Sequence, residues 1–392
     1  EQTLANLLQG KGYATACVGK WHLGHLPEFL PTRQGFDSFF GLPYSADMWP
    51  LHPETPKAYP PLPLLRDTTV VNPSVSPEDQ KQLTGQFTDE SLRFIKKSAG
   101  KPFFLYLAFG ACHWPHHVPK EYIERYSGRY DKGWDAIREQ RLKKQIQLGM
   151  VAPDTTLAPL NPDVKPWDAL SDNERRLNTR LQETYAGFLE HTDMEIGRLV
   201  DYLESVGQLD NTLIVFTSDN GGERFSDNWP LVGGKMDLTE GGIRVPWVAH
   251  WPAVIPAGTV SDQHCLTMDW SATMLELGGA APDAQHPWDG VSLAAFLRDP
   301  SQTFERPMFW RMNHRGQRAM RLGPWKYLRV DGHDYLFNIH ADARERANLA
   351  QREPQRLAQM RQAWESWESS MPPIPSDAAV NLGYSYKDMP QR

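Results

Sequence analysis

Tyr13-Ala14-Thr15-Ala16-Cys17-Val18-Gly19-Lys20-Trp21-His22-Leu23-Gly24-His25 decides the fold. The run to Val18 predicts a short buried strand that stops at a glycine and opens at once into a lysine and a histidine. If the backbone stays extended, Lys20 and His22 point to the same side, two residues apart. One offers a fixed positive charge and the other a titratable donor. The same two residues also read as a surface lysine beside a half-buried histidine.

Further strands follow the same grammar. Phe103–Phe109 is a seven-residue apolar run and predicts a central strand. It runs into Gly110-Ala111-Cys112-His113-Trp114-Pro115-His116-His117, where His113 stands nearest the strand end while His116 and His117 are expected to face solvent. Leu213–Phe216 predicts another buried strand, and Ser218-Asp219-Asn220-Gly221-Gly222 follows it closely. Asp219 and Asn220 are adjacent oxygen donors suited to a hard cation, or equally an Asx-turn capping a helix. Two ligands fill only part of a shell of about 6–8. Gly233-Gly234-Lys235 and Glu240-Gly241-Gly242-Ile243-Arg244 form a Gly-rich loop that can carry Lys235 inward, or lie on the surface. Pro246–Trp251 predicts one more strand.

Between these strands the pattern is helical: Leu4, Leu7 and Leu8 share a face, and helices are predicted over Thr84–Ser98, 121–150, Asn178–Leu203 and Met268–Leu277. Pro43–Pro77 and Val151–Asp172 are Pro-rich and read as irregular loops, the expected seats of substrate selection. Buried strands alternating with helices predict an α/β fold with a mostly parallel central sheet sandwiched by helices. After residue 305 short aromatic runs and a helix at Pro354–Ser370 predict a small antiparallel sheet plus helix. The domain reading is therefore a core at 1–305 and an α+β subdomain at 306–392.

In open α/β sheets, ligands gather beyond the carboxyl ends of the strands. Lys20, His22, His113, Lys235 and the Asp219-Asn220 pair recur there, and together they suit a tetrahedral oxyanion beside a metal. Composition narrows the partners. The 392 residues are 40% hydrophobic and 23% charged, with a formal net charge of −7 and no basic run, which argues against nucleic acid. The longest apolar run is far shorter than the roughly 20 residues that cross a bilayer, so no membrane span is expected. Cys17, Cys112 and Cys265 are too few and too scattered for a disulfide framework.

Gly12-Tyr13-Ala14-Thr15 running to Gly19-Lys20-Trp21-His22-Leu23-Gly24, then Gly35-Phe36-Asp37 and Phe40-Gly41, resembles a signature of the type I sulfatases. Phe216–Gly221 is similar to the metal strand of that family, and Gly234-Lys235 with Glu240–Arg244 to its lysine loop. His113-Trp114-Pro115 through Tyr130–Trp134 resembles bacterial arylsulfatases. Trp325-Lys326-Tyr327, Leu336-Phe337 and Glu345–Leu349 resemble the family's C-terminal subdomain. The resemblance implies an alkaline-phosphatase-like core and hydrolysis of sulfate monoesters of phenols or sugars by a formylglycine nucleophile. It also implies calcium (or magnesium) and a periplasmic or secreted location. Lys20 and Lys235 would bind sulfate oxygens, and His22 would hold or deprotonate a hydroxyl of the formylglycine hydrate. His113 would bind the ester's bridging oxygen and protonate the leaving alcohol, and Asp219 and Asn220 would ligate the metal.

The pattern departs in one place. No cysteine or serine stands in a Cys-X-Pro-X-Arg type of motif, and the family's tandem aspartates are missing. The expectation is an N-terminally incomplete sequence whose missing segment would supply both, leaving an unpaired edge in the sheet and residues 1–392 inactive by themselves. Two other readings stay open: a phosphodiesterase or phosphonate monoester hydrolase on the same core, and a non-catalytic relative that binds sulfated ligands.

Overall fold

The opening strand, β1, is Ala14–Lys20: pairing on both sides carries it past Val18. The remaining strands in chain order are β2 (Ser38–Leu42), β3 (Leu64–Arg66), β4 (Thr69–Asn72), β5 (Phe103–Ala108), β6 (Ile214–Thr217), β7 (Trp247–His250), β8 (Met308–Met312), β9 (Gln317–Leu322), β10 (Trp325–Val330) and β11 (His333–Asn338). The α-helices are α1 (Leu4–Gln9), α2 (Pro77–Lys97), α3 (Lys120–Glu124), α4 (Gly133–Gln147), α5 (Asp172–Ser205), α6 (Glu240–Ile243), α7 (Thr267–Leu277), α8 (Ala294–Arg298) and α9 (Pro354–Ser370). The computed structural model describes residues 2–375 apart from 53, 57, 58, 158–163, 224 and 225, so the middle of the predicted 151–172 loop lies outside the described residues.

The chain falls into two compact units. One comprises Glu1–Ile137, Pro166–Thr212 and Trp251–Ser301, the other Arg138–Lys165, Leu213–His250 and Gln302–Arg392. The last segment of the second unit begins close to the boundary read from sequence at 305/306, and two earlier segments cluster with it.

In the first unit a mixed sheet has the order β4-β3-β2-β1-β5. β1 pairs in parallel with β2 and β5, while β3 and β4 run antiparallel. Successive residues of β1 serve opposite faces, as the pleat requires. Val18 packs with Phe40, Leu42, Leu83 and Phe87 under α2, while Cys17 packs with Phe39, Phe36, Trp21 and Ala5 of α1. Helices thus cover both faces, the sandwich expected of a parallel segment. A close approach of three backbones marks the strand ends. A Cβ on Gly19 would lie 2.0 Å from the Ala108 carbonyl oxygen, and one on Gly41 1.8 Å from that of Gly19. With Gly19 at φ 110°, only glycine fits there.

Four expectations are corrected. β5 is the edge of this sheet, with Tyr106 45% exposed, and Phe216 of β6 is 56% exposed, because an apolar run reports composition and not the number of neighbours. Pro43–Pro77 is partly ordered: it holds β3 and β4, and its Leu62, Leu64, Leu65 and Trp49 are buried. α2 begins at Pro77 because Ser76 and Asp79 close a capping box, each side chain bonding the other's backbone N–H.

The second unit pairs β6 with β7 antiparallel and holds the sheet β11-β10-β9-β8. Met320, Tyr327 and Leu336 meet Met360 and Trp364 of α9 on one face, while Ala319, Leu328, Val330 and Phe337 meet Leu238 on the other. That second contact ties the Gly-rich loop to the C-terminal sheet.

Candidate functional site

Lys20, His22 and His113 belong to the first unit, and Asp219, Asn220 and Lys235 to the second. In the first, Lys20 ends β1 and His113 follows β5, its neighbour. Both line one cavity of about 30 Å³, with Ala46, Gln80 and His117 among the other walls. That is room for about one water molecule. His22 is exposed and does not line it. The extended backbone assumed for 19–22 is not found: Gly19 (φ 110°) and His22 (φ 58°) are both left-handed, so the two-residue alternation does not apply across this turn.

The Nδ1 of His113 lies 2.6 Å from the Trp114 carbonyl oxygen. A carbonyl only accepts, so Nδ1 carries the proton and Nε2 is the acceptor in the neutral ring. His116 and His117 do not face solvent as expected. His116 packs against the rings of Tyr185 and Phe188, and burial, reinforced by the charge of His113, takes its pKa down to about 4. Burial also lowers His117, which lines the cavity and meets Trp49 edge-on at 5.5 Å. Tyr185 is pushed up to about 12, first by burial and then by Cys112, whose Sγ is 3.7 Å from its hydroxyl.

In the second unit, β6 ends in a tight bend. Ser218 Oγ donates to the Asn220 carbonyl and Asn220 Nδ2 to that of Gly221, at 2.9 and 2.8 Å. The bend and the lysine loop share a backbone weave: Gly221 N–H donates to Gly242 O and Lys235 N–H to Gly222 O, both at 2.9 Å. Lys235 Nζ is 3.3 Å from Glu223 Oε2, a partner the sequence reading did not foresee. Gln317 clamps the loop's other side, accepting from Leu238 N–H and donating to Met236 O. The Asp219 carboxylate is exposed. Among the described residues no group of three or more His, Cys, Asp or Glu is placed to hold a metal ion. The carboxylate of Asp219 and the amide of Asn220 have the oxygen chemistry that a hard cation prefers, and two such groups could fill only part of its shell.

The sequence reading also missed Ser45 and Asp47, whose Oγ and Oδ1 are buried without a hydrogen-bond partner among the described residues. They follow β2, and the strand-end rule would have found them had Ser38–Leu42 been read as a strand.

Residues 1–280 match the sulfatase family. The chain belongs to that family of sulfuric ester hydrolases. This sulfatase-family chain is 31% identical to an uncharacterized sulfatase of Schizosaccharomyces pombe, over 97% of the chain and 79% of that protein. It is 32% identical to the N-acetylgalactosamine-6-sulfatase of Sus scrofa, over 83% of the chain and 54% of that protein. The chain thus spans about half the length of the N-acetylgalactosamine-6-sulfatases it matches. Among solved structures it resembles Ps i-CgsB in complex with k-i-k-neocarrahexaose. There the TM-score is 0.68 and the identity 26%, over 93% of the chain and 73% of that one. The fold is the alkaline-phosphatase-like fold of sulfatases, with a mixed central sheet and a small antiparallel C-terminal sheet.

Proposed function

We propose that the chain serves a hydrolase for sulfate monoesters of a phenol or a sugar. The observation that carries this reading is the pairing of an ammonium and an imidazole, Lys20 and His113, on one cavity at the ends of adjacent parallel strands. Lys20 neutralises charge on the sulfuryl oxygens, and Lys235 is a second ammonium suited to that task. His113 meets the bridging oxygen and, once its ring carries both protons, gives one to the leaving alcohol. His22 holds a hydroxyl of the attacking group. Because Glu223 shares the charge of Lys235, this pair brings no net positive charge, which suits a sulfate monoanion better than a phosphate monoester near −2.

Two groups come with the family. A calcium or magnesium ion, held in part by Asp219 and Asn220, would polarise the sulfuryl oxygens. A formylglycine residue would supply the nucleophilic hydroxyl; its Cys-X-Pro-X-Arg precursor does not occur in residues 1–392.

On the enzyme carrying formylglycine, 4-nitrophenyl sulfate is expected to be turned over far faster than 4-nitrophenyl phosphate or a phosphonate monoester. Equal or reversed rates would reject the sulfate reading. The metal assignment is tested without turnover. Calcium at about 100 times its dissociation constant stabilises a one-site protein by roughly 2.7 kcal/mol, so it should raise the melting temperature of the formylglycine-bearing enzyme. Asp219→Ala should remove that rise; an undiminished rise would place the ion elsewhere.

A further inference from the structure

We propose that Trp114, Asp47 and His52 form a recognition surface for a hydroxyl-bearing sugar ring next to His113, so that the alcohol released is a sugar and not a phenol. This rests on the sulfate-ester reading and deepens it.

Three observations converge. Trp114 directly follows His113 in the chain and is 38% exposed, an apolar face of the kind on which a sugar's C–H groups pack. His52 stands edge-on to that indole at 5.9 Å. Its Nδ1 accepts from the backbone N–H groups of Glu54 and Thr55, at 3.2 and 3.1 Å, so the proton of the neutral ring sits on Nε2. That Nε2 faces Asp47 Oδ2 at 3.8 Å, too far for a direct hydrogen bond.

A gap of this size fits a hydroxyl. An oxygen about 2.8 Å from each atom, at ordinary hydrogen-bond length, accepts from Nε2–H and donates to the carboxylate. A hydroxyl does both at once, and neither a bare aromatic ring nor an anion can. The carboxylate's other oxygen, Oδ1, is buried and has no partner among the described residues, and the two side chains are only 19% and 12% exposed. A phenyl ester would therefore cover Trp114 while leaving a half-buried carboxylate unmatched, and such unpaired groups are what make a site reject the analogue lacking a hydroxyl. The surface adjoins the cavity, since Ala46, beside Asp47, lines it with Lys20 and His113.

The test is calorimetric binding to the 1–392 chain of N-acetylgalactosamine 6-sulfate and of 4-nitrophenyl sulfate, which share the sulfate and differ in the alcohol. The intact chain should bind the sugar ester more tightly. Asp47→Asn, which preserves shape, should weaken the sugar ester relative to the aryl ester by roughly tenfold or more, whereas Trp114→Ala should weaken both esters and Trp114→Phe should recover much of that loss. A sugar-to-aryl ratio that stays within about twofold of the parent in Asp47→Asn, sugar-ester binding unchanged by Trp114→Ala, or a preference of the intact chain for the aryl ester would overturn the surface. Selective sugar binding by a formylglycine-bearing enzyme that never cleaves the ester would sink the proposed reaction and leave the surface supported.

Discussion

Replacing Lys326 by methionine is expected to destabilise the chain by about 3–5 kcal/mol at neutral pH, measured by urea unfolding. The Lys326 side chain is fully buried, with its ammonium 2.8 Å from Glu240 Oε1 and 3.0 Å from Glu345 Oε1. Arg321 reaches the other oxygen of Glu240 at 3.5 Å, and Glu345 accepts the Glu240 N–H at 2.8 Å. Removing the cation leaves two carboxylates facing each other inside the unit. Burial alone would raise both. In Glu240 the attraction and hydrogen bond of Lys326, with Arg321 and Arg244, overcome it and hold the group below its usual range. In Glu345 burial prevails over Lys326 and the group lies above it.

The pH dependence follows in sign. Without Lys326 both folded-state values rise above the unfolded value of about 4.3. A carboxyl raised by folding contributes its full stability below the unfolded value and loses it as the pH climbs through the folded one. The deficit of Lys326→Met against the parent should therefore be smallest near pH 4 and grow toward neutrality. A second change, Glu345→Gln, should recover part of it at pH 7. An equal or larger deficit in acid would show that the network is not the cause.

Lys20→Met should lower kcat/KM for a sulfate ester by about 10²–10³-fold on the formylglycine-bearing enzyme, the loss usual for one preorganised donor and equivalent to about 2.7–4 kcal/mol. Lys20→Arg should not restore it, because a planar guanidinium fork aims its donors differently from a compact ammonium. The melting temperature should barely move, since Lys20 is only half-buried at a strand end. Activity within threefold of the parent would remove Lys20 from the reaction.

The sequence made the α/β class legible because apolar runs, glycine stops and helical periodicity all survive without tertiary context. It did not reveal β9, where Gln317, Arg318 and Arg321 look like a surface turn yet Gln317 and Arg321 are buried by the partners they bond. Lys20 and His113 were legible as candidates just after strands, and Lys235 as one on a Gly-rich loop. Asp47, His52, His117 and Glu223 were not, because what marks them is a distance to residues far away in the chain. The left-handed turn at His22 was hidden too: nothing in Gly-Lys-Trp-His announces the backbone that bends it.

The Nδ1 contact of His113 with the Trp114 carbonyl has an outcome for substrate reactivity in the proposed reaction. A ring fixed that way has only a lone pair to offer from Nε2 while neutral, so expelling an alkoxide must wait for the cationic ring. Nitrophenolate departs unaided, whereas a sugar oxygen, far more basic, does not. Loss of this histidine would thus silence a saccharide-cleaving catalyst while chromogenic reagents still reported it as working.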